Sequence, residues 1–354
     1  MSKQQSTQAN LGKVNFSTER PKPKAAFWGQ GDGPNSALGQ VFSPSRRVAL
    51  QERVDLFPGV VTAANFSDLK PKLREIEVIF GTWGMWRPTQ AQLDALPNLK
   101  AVFYAAGSVK GFASPFLDRN ITVVSAWAAN AVPVAEWTLA QILLANKGLH
   151  RNEREFAAAR HSRNTFRGRG NFGATVSLLG AGQIGRRVIE LLRPFQLQVQ
   201  VYDPFLSEQS ARELGVQKVE LVEAFASGEV VSNHVANVPA TVGLLRGSHF
   251  AAMPANSTFI NTGRGATVRH DELLGVLQAR PDLTALLDVT DPEPLPADSP
   301  FWTLNNVQLT SHIAGSIGDE VVRMADYVLA EFDLWRSGAP LLYAVTPAML
   351  ETMA

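Results

Sequence analysis

No cysteine occurs anywhere in the 354 residues, which excludes disulfides, thiolate metal sites and a cysteine nucleophile. Also missing is any run of the ~18–20 apolar residues that a membrane span requires. Charge of one sign is not in excess either: 33 Lys and Arg stand against 32 Asp and Glu, so no global field draws in nucleic acid or an anionic membrane. The opening residues, MSKQQSTQANLGKVNF, are polar and lack the apolar centre of a secretory signal. No repeat recurs at a fixed period. The expectation is a cytoplasmic chain with neither a nucleic-acid nor a membrane partner. What is present fits a globular protein, with 45% hydrophobic and 18% charged residues and length enough for two cores.

The most informative stretch is ATVSLLGAGQIGRRVIELLRPFQLQVQVYD, from Ala174 to Asp203. Val176 to Leu179 form an apolar, branched run suited to a buried parallel strand. It breaks into Gly180-Ala181-Gly182-Gln183-Ile184-Gly185, and Ile184, Val188, Ile189, Leu191 and Leu192 then recur at helical spacing. A second strand-like run, Val199 to Tyr202, ends at Asp203, 23 residues after Gly180. This is the order of parts that holds a dinucleotide. Gly180 permits the tight turn, Gly182 lets backbone approach the pyrophosphate, and Gly185 lets helix and strand pack closely. The helix N-terminus offers unpaired N–H groups to the phosphates. Asp203 stands where a carboxylate bonds the ribose hydroxyls and repels a 2′-phosphate. The next basic residue after it is Arg212, so NAD is expected rather than NADP.

Before this stretch, residues 1–24 read as a loose polar tail. Strands are expected at Ala25 to Trp28, Glu77 to Phe80, Leu99 to Tyr104 and Ile121 to Val124, with short elements at 54–57 and 60–63 and a loop over 29–45. Thr89 to Leu96 reads as a helix. Strands alternating with helices imply a parallel α/β layer. A long helix is expected from Pro133. Val134, Trp137, Leu139, Ile142, Leu143 and Ala145 cover more than one of its faces, as in a helix buried between domains or subunits. Arginines at 151, 154, 160, 163, 167 and 169 crowd the next segment, but acids accompany them, and a solvated arm is the better reading than a nucleic-acid patch. After Asp203 four strand ends carry polar residues: Val230-Val231-Ser232 leads to His234, Thr258-Phe259-Ile260 to Asn261, Ala285-Leu286-Leu287 to Asp288, and Val307-Gln308-Leu309 to His312. In open parallel sheets, ligands bind outside such ends. Ser316 or Asp319 is expected to cap a helix running to Trp335, closed by Gly338 and Pro340.

Arg264, Glu293 and His312 lie on three successive strand ends. Oxidising a 2-hydroxy acid, or reducing a 2-keto acid, needs a cation for the acid, a proton donor at the reacting oxygen and a partner for that donor. Arg grips a carboxylate with two bonds, His titrates near neutrality, and Glu beside His favours imidazolium and fixes the ring. A packed core histidine for His312, and a loop acid among Pro292, Pro294, Pro296 and Pro300 for Glu293, are the plainer readings, but with Arg264 and Glu293 in register with His312 catalysis is the better one. Arg264 between two glycines is hard to explain by packing. His234 suits a structural or a phosphate-contacting role equally. His150, His161, His249 and His270 look like surface or helix-cap residues, and their spacing suggests no metal site. Trp83, Met85, Trp86 and Trp127 fit a substrate pocket or a core.

Taken together, these motifs resemble the D-isomer-specific 2-hydroxyacid dehydrogenases. The matching pieces are Leu179-GAGQIG-Arg186, Val201-YDP-Phe205, Asn261-TGRG-Ala266, Leu287-DVTDPEP-Leu295 and Leu309-TSHIAG-Ser316, spread in order over about residues 130 to 320. The resemblance implies an α/β chain of two Rossmann-like domains with parallel sheets, the cofactor domain (131–317) inserted in a substrate domain (25–130 and 318–354). It implies that Arg264 binds substrate, Glu293 pairs with His312, and His312 is the acid/base. The cofactor would be lined by Gly180, Gly182, Gln183, Ile184, Gly185, Asp203, His234, Ala236, Thr241, Thr262, Gly263, Arg264, Asp288, His312 and Gly315, and the substrate by Ala106, Gly107, Ser108 and Arg264. No metal is expected, and a homodimer is. Two departures stand out: Ser311 and Ala236 replace family prolines, and Ala106-Gly107-Ser108-Val109-Lys110-Gly111 replaces the usual substrate loop. The acid's identity is therefore left open. A dinucleotide-sensing dimeric scaffold of the same fold, acting through partner binding, is the rival reading.

Overall fold

The computed structural model describes residues 21–160 and 164–353. Residues 1–20 of the expected tail, together with His161 and Arg163, lie outside the described residues. The chain forms two sheets in which every paired strand is parallel, as the α/β reading expects. The first contains β1 (Lys24–Trp28), β2 (Asp55–Val61), β3 (Val78–Gly81), β4 (Ala101–Tyr104) and β5 (Thr122–Ser125) in the order β2-β1-β3-β4-β5. The second contains β6 (Thr175–Leu179), β7 (Gln198–Tyr202), β8 (Gln217–Lys218), β9 (Val230–Asn233), β10 (Thr258–Asn261), β11 (Thr284–Leu287) and β12 (Val307–Leu309), ordered β12-β11-β10-β9-β6-β7-β8. Every residue of β3, β4, β9, β10 and β11 is buried, as expected for parallel strands with helices on both faces.

Register aligns the second sheet's ends. Leu179 pairs with Tyr202 and Asn233, Asn233 with Asn261, Asn261 with Leu287, and Leu287 with Leu309. The residues immediately after these strands, Gly180, Asp203, His234, Thr262, Asp288 and Thr310, therefore leave the sheet along one line. The direction of strand order reverses between β6 and β9, which opens a crevice there.

Two further elements tie the halves together. The helix Trp127–Lys147 buries Ala129 in the first core and Ala135, Ile142 and Ala145 in the second. The helix Val322–Ser337 returns to the first sheet, where Phe332 meets Phe103 edge-on at 5.5 Å. Its buried Glu331 accepts bonds from the Leu342 and Tyr343 N–H groups, which holds that segment against β5. Among the described residues no helix is long and apolar enough to cross a membrane.

Several local expectations need correction. The loop expected over 29–45 contains the helix Ala37–Val41 and the start of Pro44–Arg53. The two short elements at 54–57 and 60–63 are one strand, β2, whose register shifts around Pro58-Gly59; a proline is tolerated there because β2 is an edge strand. The long helix begins at Trp127, and Pro133 lies inside it. Placing the start at Pro133 relied on the preference of proline for a first turn, whereas the alanine-rich residues before it already favour helix. The arginine-rich arm begins as the helix Leu149–Ala159. Arg151 bonds Glu155 and Asn256 and lies over the Phe166 ring, so that arginine clasps the segment to the sheet. Beyond His312, neither Ser316 nor Asp319 caps the helix Val322–Ser337. The turn Gly318–Val321 leads in, with Glu320 taking the Ile317 N–H, and Gly338 closes it at φ +77. His150 is buried and contacts Gln141, against the surface reading.

Candidate active site

At the switch point Gly180 stands at φ +98, and a Cβ on it would lie 2.9 Å from the His234 carbonyl. A Cβ on Gly185 would lie 2.0 Å from the Gly180 carbonyl, so no other residue fits either position without displacing backbone. Gly182 caps the helix Gln183–Leu192 without a side chain, and a Cβ there meets nothing within 4 Å. Among the described residues the N–H groups of Gly182, Gln183 and Ile184 have no acceptor. Open space in front of free donors at a helix N-terminus fits a dinucleotide pyrophosphate.

Asp203 braces this turn. One carboxylate oxygen accepts from the Ala181 N–H at 2.7 Å and the other from the Phe205 N–H at 2.8 Å. Each keeps acceptor capacity for a ribose hydroxyl. Arg186 also reaches the turn, donating from Nε to the Ala181 carbonyl at 2.8 Å. Counting basic residues downstream of Asp203 missed it, because it approaches from the helix.

Behind the turn lies a layer of buried polar side chains. Asn233 donates to Asn261 and Thr267 and accepts from the Val235 N–H. His234 contacts the Ser232 hydroxyl at 3.0 Å and the Thr262 hydroxyl at 3.2 Å through its two ring nitrogens. Burial pushes its pKa down to about 4, so the ring is neutral near pH 7. Thr241 folds back on the Ala236 and Val238 carbonyls, which fixes the 236–241 segment.

Arg264 follows β10, half-buried, with Nη1 on the Gly263 carbonyl at 2.7 Å. Burial lowers its pKa, and the nearby charge of Glu293 opposes that shift. Among the described residues no carboxylate bridges it within ion-pair distance, so a partly desolvated cation stands ready for an anion. Gly265 brings the two segments together, since a Cβ there would lie 2.0 Å from the Thr290 carbonyl. That close passage delivers Glu293, whose carboxylate accepts from His312 Nδ1 at 2.6 Å.

His312 itself stands at φ +61, a region that costs a non-glycine residue about 1–3 kcal/mol unless its surroundings impose it. Asp288 imposes it. Its buried carboxylate takes the Thr310 hydroxyl at 2.6 Å, the Ile313 N–H at 2.8 Å and the Ala314 N–H at 3.0 Å. Asp288 thus shapes the histidine's turn, and any service to a cofactor runs through that turn.

The expected substrate residues lie on the loop after β4. Thr82 holds the Ala105 carbonyl at 2.7 Å, and Ser125 holds those of Ala106 and Gly107 at 2.9 and 2.5 Å. The N–H groups of Ala106, Gly107 and Ser108 have no acceptor among the described residues. Lys110 crosses to the second half, donating to the Asn237 carbonyl at 2.7 Å. Trp86 stacks on Trp28 with 4.4 Å between centroids, and Trp127 meets Tyr343 edge-on. Trp83 keeps 39% of its surface exposed. Trp86 and Trp127 with Met85 therefore pack against the first core, and Trp83 stands apart. His249 forms a capping contact at Arg246 N, and His270 opens its helix.

A doubly wound sheet with a glycine turn at its switch point and an Arg–Glu–His set along the same edge defines a dinucleotide-binding α/β protein. Residues 139–314 match the model of the D-isomer specific 2-hydroxyacid dehydrogenase NAD binding domain, and that part of the chain belongs to the family. The D-3-phosphoglycerate dehydrogenase of Archaeoglobus fulgidus is 28% identical over 260 residues, covering 73% of this chain and 49% of the relative. That of Methanocaldococcus jannaschii is 27% identical over 274 residues, 77% of this chain and 52% of the relative. The chain thus spans about half the length of these curated relatives. A phosphoglycerate oxidoreductase from Rhizobium etli shares the fold with a TM-score of 0.74 at 24% identity, covering 92% of this chain and 98% of that one.

Proposed function

We propose that the protein interconverts a 2-keto acid and a D-2-hydroxy acid with NAD(H). The observation that supports this most is the 2.6 Å His312–Glu293 pair, held on a strained turn beside Arg264. The Gly180 turn and Asp203 would hold NAD(H), which when bound would supply or accept the hydride at substrate C2. In the reducing direction His312 donates its proton to the keto oxygen, and Glu293 stabilises the imidazolium and fixes its ring. Arg264 grips the acid and offsets charge developing on the oxygen. The free N–H groups at 106–108 take the carboxylate. In this reading residues 25–130 and 318–354 form the substrate domain and 131–317 the cofactor domain, and closure between them excludes water. Asp203 favours NAD over NADP. A cysteine-free chain with no membrane-crossing helix among its described residues suits the cytoplasm.

The test is NADH oxidation against a panel of 2-keto acids that includes phosphorylated, aromatic and branched members. Turnover on at least one is expected. NADH binding without turnover on any would favour a dinucleotide-sensing scaffold.

A further inference from the structure

Lys110 follows Val109, which is fully buried and whose carbonyl accepts the Phe112 and Ala113 N–H groups at 3.1 and 3.0 Å. The backbone that carries Lys110 is therefore fixed to the first core, two residues beyond the free N–H donors at 106–108. From there the half-buried side chain leaves its own sheet and donates from Nζ to the Asn237 carbonyl at 2.7 Å. An ammonium has three donors, and among the described residues that carbonyl is the acceptor it meets. The segment it reaches runs beside Arg264. The Gly243 N–H donates to the Ala266 carbonyl at 2.8 Å, and a Cβ on Gly263 would stand 3.4 Å from the Val235 carbonyl. Lys110 and Arg264 are thus two half-buried cations brought to one segment. Among the described residues neither has a carboxylate within ion-pair distance. Partial burial makes a charge costly without a counter-ion. The carboxylate of a simple 2-keto acid supplies one counter-ion, and a second acid on the same substrate supplies the other.

We infer that Lys110 selects substrates with a second acid: its unused donors take a carboxylate or phosphate beyond the keto carbon, while Arg264 and the N–H groups at 106–108 hold the first carboxylate. This rests on the 2-keto acid reading above. It goes beyond that reading by giving the substrate class and the residue that reads it.

Steady-state kinetics on matched pairs tests the assignment: oxaloacetate against 2-oxobutyrate, and 2-oxoglutarate against 2-oxohexanoate, with 3-phosphohydroxypyruvate alongside. A hydrogen bond to a charged group corresponds to a kcat/KM about tenfold or more higher for the two-acid members in the wild type. Lys110→Met keeps the stem and removes the charge. It should lower kcat/KM about tenfold to a hundredfold on two-acid substrates and less than about threefold on their one-acid partners. Lys110→Arg should restore most of the two-acid activity. NADH affinity, read by fluorescence, should stay within about twofold of wild type in both variants, which also shows that they fold. Preference for the phosphate or for the dicarboxylates identifies the second acid, and either supports the assignment. A lysine that only latches the two halves would slow every substrate alike in Lys110→Met. That result, or a wild type that favours the one-acid members, overturns this assignment alone. A wild type that reduces no keto acid of either kind overturns the underlying reading as well.

Discussion

His312 is held in a backbone conformation that histidine seldom adopts, and three bonds to buried Asp288 keep it there. The side chain is thereby aimed by scaffold rather than by its own packing, and its charge partner Glu293 arrives through the gap at Gly265. Asp203 shows the same economy at the cofactor end, since one carboxylate braces the glycine turn and still presents acceptors. Because Arg186 is already on that turn, Asp203 is the group that would keep a 2′-phosphate away. Asp203→Ala should move the ratio of NADPH to NADH affinity by about tenfold or more toward NADPH, which is about 1.4 kcal/mol. Titration of both dinucleotides against both proteins measures it. Equal affinities in the wild type would remove the charge argument. Of this residue-scale detail, the sequence reveals identities better than jobs. Arg264, Glu293 and His312 stand out by residue type and position, whereas Asp288, Thr82 and Ser125 act through backbone bonds that no spacing announces.

At the scale of elements, the aligned ends of the second sheet explain why distant motifs meet. Six neighbouring strands stop at one level, so a polar residue just after each joins one edge. The sequence made this legible because buried parallel strands are short apolar runs with abrupt polar ends. Legibility failed where a local signal had two meanings. Pro133 reads as a helix start yet sits seven residues into one, and Pro58-Gly59 reads as a break yet lies within an edge strand. His234 tests the polar layer behind that edge. Its pKa is depressed by burial to about 4, against ~6.5 unfolded. The neutral ring's contribution is therefore complete above about pH 6.5 and is lost as pH falls toward 4. Between pH 7.5 and pH 5 the wild type should lose up to about 2 kcal/mol that a His234→Gln variant keeps. Urea unfolding at the two pH values gives the comparison. Parallel losses would show that the ring is not buried neutral.

Across the whole molecule, the chain leaves the first sheet at Trp127, builds the second, and returns at Val322 to pack Phe332 into the first core. In the proposed reaction, closure of the first half over the polar edge of the second sheet would strengthen the electrostatics at the reacting carbon. The apolar helix Trp127–Lys147 leaves Leu144 exposed, with Phe156 and Phe172 exposed in the segments that follow it. We propose that these residues form the face of a homodimer. Light scattering at micromolar concentration should return twice the 38.4 kDa of one chain, and a single-chain mass would count against that face. The chemistry has a more direct test, which is NADH oxidation by the wild type and His312→Ala side by side on whichever 2-keto acid the panel selects. The expected result is a fall in kcat of about 10²–10⁴-fold with NADH affinity unchanged, since the proposed dinucleotide site is the Gly180 turn and Asp203. Near-normal turnover in His312→Ala would contradict the assignment of the proton donor, whatever the fold.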